Sequence, residues 1–377
     1  MTPPPISNIE HHFGDLPDPR SGDNIRHPVV NIITITICAV ICGANSWVDV
    51  EMFGQAKKRW FDEFLDLKHG IPSDDTIGRF FRAVDPKAFE QRFRDWTRHI
   101  CELVEGEVVA IDGKQLRRSK DGTLGKAGIY MVNVWATENK LSLAQQKVAN
   151  HTNEITAIPQ LLALLELDGQ IVTIDAIGCQ TGIVATLVDQ NADYVIAAKG
   201  NQGTLLEDIE AAFETDDAQQ VATHHKTVNK GHGRIDTRQC WVVDDPEIIA
   251  YINDYKSWTG LRSIVKVESV RHILLTDTIE TETRYFISSL PADPQQLLHA
   301  IRAHWQVENS LHWVLDMAFR EDESRVRKDH APQNFAVLRQ VALNLLRQDD
   351  SLQVGIAAKR KRAGWDEAYL TRILCAA

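Results

Sequence analysis

Apolar and polar positions alternate in three patterns along the chain, and each pattern predicts a different kind of structure. Over the first hundred residues the apolar positions recur at helical spacing. Phe89, Phe93, Trp96, Ile100 and Leu103 follow at intervals of four, three, four and three, which places them on one helix face. Start signals accompany the pattern: Ser73 precedes Asp74 and Asp75, and Asp85-Pro86 supplies an N-cap followed by proline at the first helical position. The run from Val29 to Ala44 is apolar on all sides but contains Asn31, Thr34 and Thr36. It is also shorter than the roughly 20 residues a bilayer span needs. A buried helix is expected there.

After Gly106 the pattern changes to short, continuously apolar strands. Val108-Val-Ala-Ile111 stops at Asp112-Gly113, and Ile171-Val-Thr-Ile174 stops at Asp175. Ile129 to Ala136 and Leu141 to Val148 read as a hairpin across the polar Thr137-Glu-Asn-Lys140. Helical periodicity returns over Ile155 to Leu167 and Ile183 to Gln190, and a further strand, Tyr194 to Ala198, leads into Lys199-Gly-Asn-Gln202. Strands alternating with helices predict an α/β fold, a mixed sheet covered by helices.

The third pattern occupies about Gln220 to Leu290, where Val/Ile/Thr/Tyr-rich runs appear at Gln239 to Val243, Arg262 to Val270, His272 to Thr276 and Arg284 to Ser288. Asp293-Pro294-Gln295-Gln296 then forms a capping-box variant, and a long helix is expected from there to about Phe319. These shifts divide the chain into a helical domain (1–105), the first part of an α/β core (106–219), a β-rich insertion (220–290) and a C-terminal helical part of the core with its tail (291–377).

Composition changes this picture little. At 377 residues the chain exceeds the usual single domain, so two or three structural units are expected. Its hydrophobic share of 44% lies near the globular average, which confines expected disorder to the termini. No repeat of 20 to 50 residues is evident. The six cysteines form no C-x-x-C pair and no zinc-spaced Cys/His quartet, so they read as reduced, mostly buried thiols. The N-terminus lacks a basic segment leading into an apolar core, and a cytoplasmic protein without membrane contact is expected.

The net charge of -11 argues against a protein that coats nucleic acid nonspecifically. Two basic clusters soften that objection: Lys114, Arg117, Arg118, Lys120 and Lys126, and the run Lys359-Arg-Lys-Arg362.

Candidate chemistry rests on three carboxylates. Asp112 and Asp175 each follow four strand residues, and the crevice beyond strand ends is where open α/β sheets bind ligands. Either aspartate alone is explained by turn capping; two in matching positions are not. Glu308 falls within the apolar stripe Leu297, Ile301, Trp305, Leu311 and Leu315, where glutamate is seldom buried unless paired. A salt bridge accounts for that position as well as a metal site does. If the three converge, their repulsion calls for a cation, and an all-oxygen set suits Mg²⁺ or Mn²⁺. Two such ions about 3.5–4 Å apart serve phosphoryl transfer.

With those residues placed, the chain resembles the insertion-sequence DDE transposases, and within them the H-repeat-associated group, over nearly its whole length. The resemblance is carried in order by Gly70-Ile-Pro-Ser-Asp-Asp-Thr76, Ala110-Ile-Asp-Gly-Lys114, Asn153-Glu-Ile-Thr-Ala-Ile-Pro159, Thr173-Ile-Asp-Ala-Ile-Gly-Cys-Gln180, Lys199-Gly-Asn-Gln202, His232-Gly-Arg234 and His304-Trp-Gln-Val-Glu-Asn-Ser-Leu-His-Trp313. It implies a ribonuclease-H-like catalytic core with Asp112 on the first strand, Asp175 after the fourth and Glu308 on a late helix behind the insertion. It also implies that these three are the catalytic metal ligands. The implied reaction is cleavage at transposon-end inverted repeats, exposing a 3′-hydroxyl that attacks target DNA, with no nucleotide cofactor. Pairing two DNA ends implies a homodimer on DNA, and the 1–105 domain is a candidate for end recognition.

Lys114, Arg117, Arg118, Lys199, Arg234, His304 and Trp305 are the candidate DNA contacts. For His304 a core hydrogen bond, and for Trp305 and Trp313 packing, compete with that role; Asn153 reads equally well as a helix N-cap. Asp316, Glu321 and Asp322 are alternative acids, with solvated helix-end positions as their default reading. Many related transposases carry Tyr, Arg and Lys around the glutamate where this chain has Ile301, His304 and Leu315. Two other readings stand beside an active transposase: a metal-dependent nuclease that cuts without joining, and a domesticated, inactive DNA-binding protein.

Overall fold

The computed structural model describes residues 7–22, 25–119, 128–148 and 154–375. Six helices lead the chain: α1 (Ser7–Phe13), α2 (Val29–Cys42), α3 (Trp47–Ala56), α4 (Lys58–Phe61), α5 (Asp74–Ala83) and α6 (Pro86–Ile100). The caps read from sequence are in place. Ser73 Oγ accepts from Thr76 N at 3.3 Å, and Asp85 accepts from Lys87 N at 3.1 Å. Helix α2 is buried from Asn31 to Ile41 and ends at Gly43, whose φ of 119° only glycine adopts without strain. Among the described residues no single helix is long and apolar enough to cross a membrane.

The central segment runs β1 (Val108–Leu116), β2 (Ile129–Ala136), β3 (Leu141–Lys147), α7 (Glu154–Leu162), β4 (Ile171–Ile174), α8 (Thr181–Asp189), β5 (Asp193–Ala198), α9 (Gly203–Glu214) and α10 (Asp216–Val221). Two hairpins follow, β6 (Thr223–Gly231) with β7 (Arg234–Val243) and β8 (Ser263–Ile273) with β9 (Thr278–Ser288), separated by α11 (Pro246–Tyr255). The chain closes with α12 (Pro294–Gln306), a π-helical turn (Val307–His312), α13 (Trp313–Met317), α14 (Ala331–Gln348), α15 (Ile356–Trp365) and α16 (Glu367–Cys375).

The strands form one nine-stranded sheet in the order β3-β2-β1-β4-β5-β9-β8-β7-β6. Antiparallel β1–β3 beside parallel β1, β4 and β5 make the ribonuclease-H-like mixed sheet that was expected. The insertion is not a separate sheet, because β9 pairs with β5 and carries the same sheet onward. Strand β6 was not anticipated: its residues are mostly exposed, and their polar pattern hides it. The His232-Gly233 motif is the β6–β7 turn, with both residues at positive φ (49° and 71°) as a two-residue hairpin requires.

Packing departs from the sequence boundaries. Helices α1–α6 share one apolar cluster with α14, α15 and α16, so residues 1–105 close their core with the C-terminal helices. Half of the second basic cluster is a correction of a related kind, Lys361 and Arg362 being exposed. Lys359 and Arg360 are buried: the Lys359 ammonium donates to Leu346 O and Asp349 O, and Arg360 donates to Val40 O and Ile41 O. Both satisfy carbonyls that helix ends leave unpaired, so neither faces a phosphate.

Candidate active site

Strand alternation aims the aspartates. Val108 and Ala110 point to the face covered by α12 and the helices after it, whereas Val109 and Ile111 join the opposite core with α7 and α8. Asp112 keeps the parity of Val108 and Ala110. Asp175 similarly extends the parity of Ile171 and Thr173. The parallel β1–β4 ladder ends at Ile111 and Ile174, so both aspartates sit just past it. Strand β1 does not stop there as expected; it continues against β2 to Leu116, with Asp112 opposite Asn133. Asp112, Asp175 and Glu308 line one cleft of about 510 Å³, together with Lys199, Arg284, His304 and Trp305.

The cleft concentrates negative charge. Burial, and then Asp175, Glu154 and Glu308, push the Asp112 carboxyl up to about 7, against a lowering bond from the Gly113 N–H. Glu154, at the start of α7, is itself raised by burial and by Asp175, while the Tyr130 hydroxyl donates to it. It is a fourth acid that the sequence offered only through its motif. Gly113 makes room for it, since a Cβ there would stand 2.5 Å from the Tyr130 ring and 2.6 Å from Glu154 Oε1. Among the described residues no three candidate donors stand at metal-ligand spacing. The donor chemistry nevertheless suits a hard cation: the acids offer only oxygen, and their mutual repulsion is what such an ion relieves.

Glu308 is not buried in the apolar stripe; it is exposed to the cleft. Glu308 keeps the spacing of four and three with Ile301 and Trp305, and all three line the cleft, so this part of the stripe faces the cleft. The π turn, in which Trp313 N–H bonds to Glu308 O, is followed by the buried Leu311 and Leu315. No arginine or lysine pairs with Glu308 among the described ion pairs.

The candidate cations divide. Lys114, expected to contact DNA, sits on β1 with its ammonium 2.5 Å from Asp316 Oδ1 and 2.9 Å from Glu321 Oε2, inside the protein. Glu321, read as solvated, is buried and also lies 3.7 Å from Arg339. Arg117 is exposed and pairs with Asp322 at 3.2 Å, and Arg118 is exposed. Lys199 is exposed at the cleft rim. Arg234 pairs with Asp236 at 3.1 Å. His304 makes the core bond weighed against a DNA role, Nδ1 to Thr173 Oγ1 at 3.1 Å. Trp305 and Trp313 are 42% and 60% exposed, so packing does not account for them; the Arg284 guanidinium lies over the Trp305 ring. Lys120, Lys126 and Asn153 lie outside the described residues.

Sequence reasoning missed His312. It lies 8% exposed beneath the cleft, Nδ1 3.5 Å from Asp112 Oδ2, and burial followed by Lys114 lowers it to about 4, a neutral ring. Its place in the His304-to-Trp313 motif was the available signal.

A ribonuclease-H-like sheet with two aspartates just past the parallel β1–β4 ladder and a glutamate on a late helix defines the class, and the chain belongs to the Transposase DDE domain family, which it matches over residues 104–345. Residues 10–97 match the accompanying DDE_Tnp_1-associated family. The chain is similar to "Putative transposase YncI" of Escherichia coli O157:H7, 38% identical over 376 residues, covering 98% of this chain and 95% of that one. It is also similar to "H repeat-associated putative transposase YhhI" of Escherichia coli K12, 35% identical over 372 residues and 98% of each chain. The resemblance to the H-repeat-associated group is therefore borne out. Among solved structures, the piggyBac transposase synaptic complex with hairpin DNA aligns at a TM-score of 0.42 and 12% identity, over 98% of this chain and 76% of that one.

Proposed function

We propose that this protein cleaves DNA at the ends of an insertion sequence and joins the freed 3′-hydroxyls to target DNA, with Asp112, Asp175 and Glu308 as its catalytic carboxylates. The observation that carries the proposal is their meeting: acids from β1, the end of β4 and the π turn line one cleft although nearly 200 residues separate the first from the last. These three would hold Mg²⁺ or Mn²⁺, two ions by the chemistry of phosphodiester exchange. When bound, such ions supply stabilisation of the attacking and leaving oxygens.

The rest of the reading concerns how DNA reaches those acids. Arg234, Arg238, Arg271, Arg284 and Arg302, with Asp236, Glu280 and Glu282 among them, line a second hollow of about 480 Å³, which shares Glu282, Arg284, Phe286, Ile301 and Trp305 with the acidic cleft. Asp236 lies within 4 Å of three of them, at 3.1 Å from Arg234, 3.8 Å from Arg238 and 2.9 Å from Arg271. Burial and then Arg302 lower the Arg238 guanidinium, a crowding of positive charge that a phosphate backbone would relieve. Duplex DNA would therefore cross the β7–β9 face into the cleft, past Lys199, with exposed Trp305 placed to stack on an unpaired base. Two DNA ends held together imply a homodimer.

The test incubates purified protein, in Mg²⁺ and separately in Mn²⁺, with DNA carrying its own element's terminal inverted repeats and a target plasmid. Asp112→Ala, Asp175→Ala and Glu308→Ala variants run alongside. Joined products from the wild type alone support the proposal. Cutting without joining would move the protein to the nuclease reading. Binding without cleavage in either metal would move it to the inactive DNA-binding one. Full activity in Glu308→Ala would remove that residue from the set.

A further inference from the structure

Behind Asp112 runs a file of buried polar side chains that the catalytic reading leaves unused. Ser142 on β3, Gln340 on α14, Asn133 on β2 and His312 at the end of the π turn are 0%, 1%, 3% and 8% exposed. Ser142 Oγ donates to Gln340 Oε1 at 2.9 Å, and Gln340 Nε2 donates to Asn133 Oδ1 at 2.7 Å. Asn133 Nδ2 faces His312 Nε2 at 3.3 Å, and His312 Nδ1 faces Asp112 Oδ2 at 3.5 Å. The frame around the file is rigid, because Asn344 bonds both the N–H and the C=O of Ser142, at 2.9 and 2.8 Å.

We infer that this file makes His312 a positioning residue for Asp112, by fixing the imidazole in the tautomer whose proton is on Nδ1. Asn133 Oδ1 is occupied as an acceptor by Gln340, so the group turned to the imidazole is an NH₂, which can only donate. His312 Nε2 must then accept, and the proton of the neutral ring lies on Nδ1. An imidazolium would set N–H against NH₂. Flipping both amides would also form a continuous file, but it would leave the bare Nδ1 against a carboxylate oxygen, acceptor to acceptor. An ionised Asp112, the state above its raised value of about 7, thus selects the direction of the whole file. The consequence is that one Asp112 oxygen is faced from behind, at 3.5 Å, by a donor of the kind that carboxylates at cation sites generally have. Helix α14, which contributes nothing to the cleft lining, thereby sets the orientation of its central acid.

This inference rests on the reading of Asp112 as a cation-binding carboxylate, and its test does not need the protein to cut DNA. The first measurement is the ¹⁵N spectrum of histidine-labelled wild-type protein at pH 9, where Asp112 is ionised, with the His312 signals identified by their loss in His312→Gln. A protonated Nδ1 and a bare Nε2 are expected. A protonated Nε2 in the wild type would overturn the proposal.

The second measurement is calorimetric titration with Mn²⁺ alone. His312→Asn can keep a side-chain N–H near the Nδ1 position, whereas His312→Leu cannot donate. Affinity should fall by about 10–100-fold in His312→Leu and should recover most of the way in His312→Asn. Equal Mn²⁺ affinity in wild type and His312→Leu would also overturn it. A wild type that binds Mn²⁺ through this file yet joins no DNA would instead count against the transposase reading.

Discussion

Lys114 Nζ lies 2.9 Å from Glu321 Oε2, which ties β1, two residues beyond Asp112, to the short turn that follows α13. Asp316 and Arg339 complete the group. Such buried networks are costly to break, since removing one partner strands the others without water.

Glu321→Gln should therefore lower unfolding stability by about 3–5 kcal/mol at pH 7, measured in urea. Burial alone would raise the Glu321 pKa, but Lys114 and Arg339 outweigh it and hold the carboxyl below its ordinary range. A depressed carboxyl adds stability that is complete above its unfolded pKa, about 4.3, and is lost as pH falls through the lower folded value. The gap between wild type and variant should accordingly narrow below about pH 4. A gap unchanged at pH 3 would mean that the charge of Glu321 is not what matters.

Asp112 carries the opposite sign. Its carboxyl is raised to about 7, so the stability linked to it is complete below about pH 4 and is lost as pH rises through the folded value. Full linkage would give about 4 kcal/mol, which partial solvent exposure reduces to about 1–2. In a chelator at pH 8, Asp112→Asn should thus melt higher than wild type, and the two should converge near pH 4 or 5. Added Mg²⁺ should raise the wild-type Tm and leave the variant unmoved. A variant that melts lower than wild type at pH 8 would refute the crowding of charge in the cleft.

Gly113→Ala tests the close approach of Glu154. The added Cβ would fall 2.5 Å from the Tyr130 ring and 2.6 Å from Glu154 Oε1, so both side chains must shift. A loss of about 1–3 kcal/mol is expected, with a fall in strand transfer larger than the stability loss explains. Wild-type Tm and activity together would show that the pocket yields freely.

Arg238→Gln and Arg302→Gln address the DNA path. If each guanidinium contacts one phosphate, each substitution should weaken binding to all duplex sequences alike and reduce the slope of log K against log salt by about 1. Lys114→Gln, whose ammonium is held by Asp316 and Glu321, should leave that slope unchanged. An equal change in all three would detach the arginine-lined hollow from DNA binding.

Much of the site was legible because its signals are local. A strand places alternate side chains on one face, so Asp112 after Val108 and Ala110, and Asp175 after Ile171 and Thr173, had to share a side of the sheet once the strands formed. Helix caps at Ser73 and Asp85 and the β2–β3 hairpin are local in the same sense, and the ordered motifs carried the family. Strand β6 escaped because a mostly exposed strand lacks an apolar face to read.

What only the tertiary structure decided is which charges are spent inside the molecule and which face outward. Lys114 meets acids more than 200 residues away, and Lys359 and Arg360 cap helix carbonyls. Glu308 reaches the cleft because the face it shares with Ile301 and Trp305 lines it, which the apolar stripe alone does not show. His312 gains its role from an asparagine and a glutamine on two other elements. The sequence by itself determined the kind of fold and the side of the sheet that Asp112 and Asp175 take, because backbone periodicity is a property of neighbours. The tertiary structure decided the rest, because the state of a buried charge depends on the partners that folding brings to it.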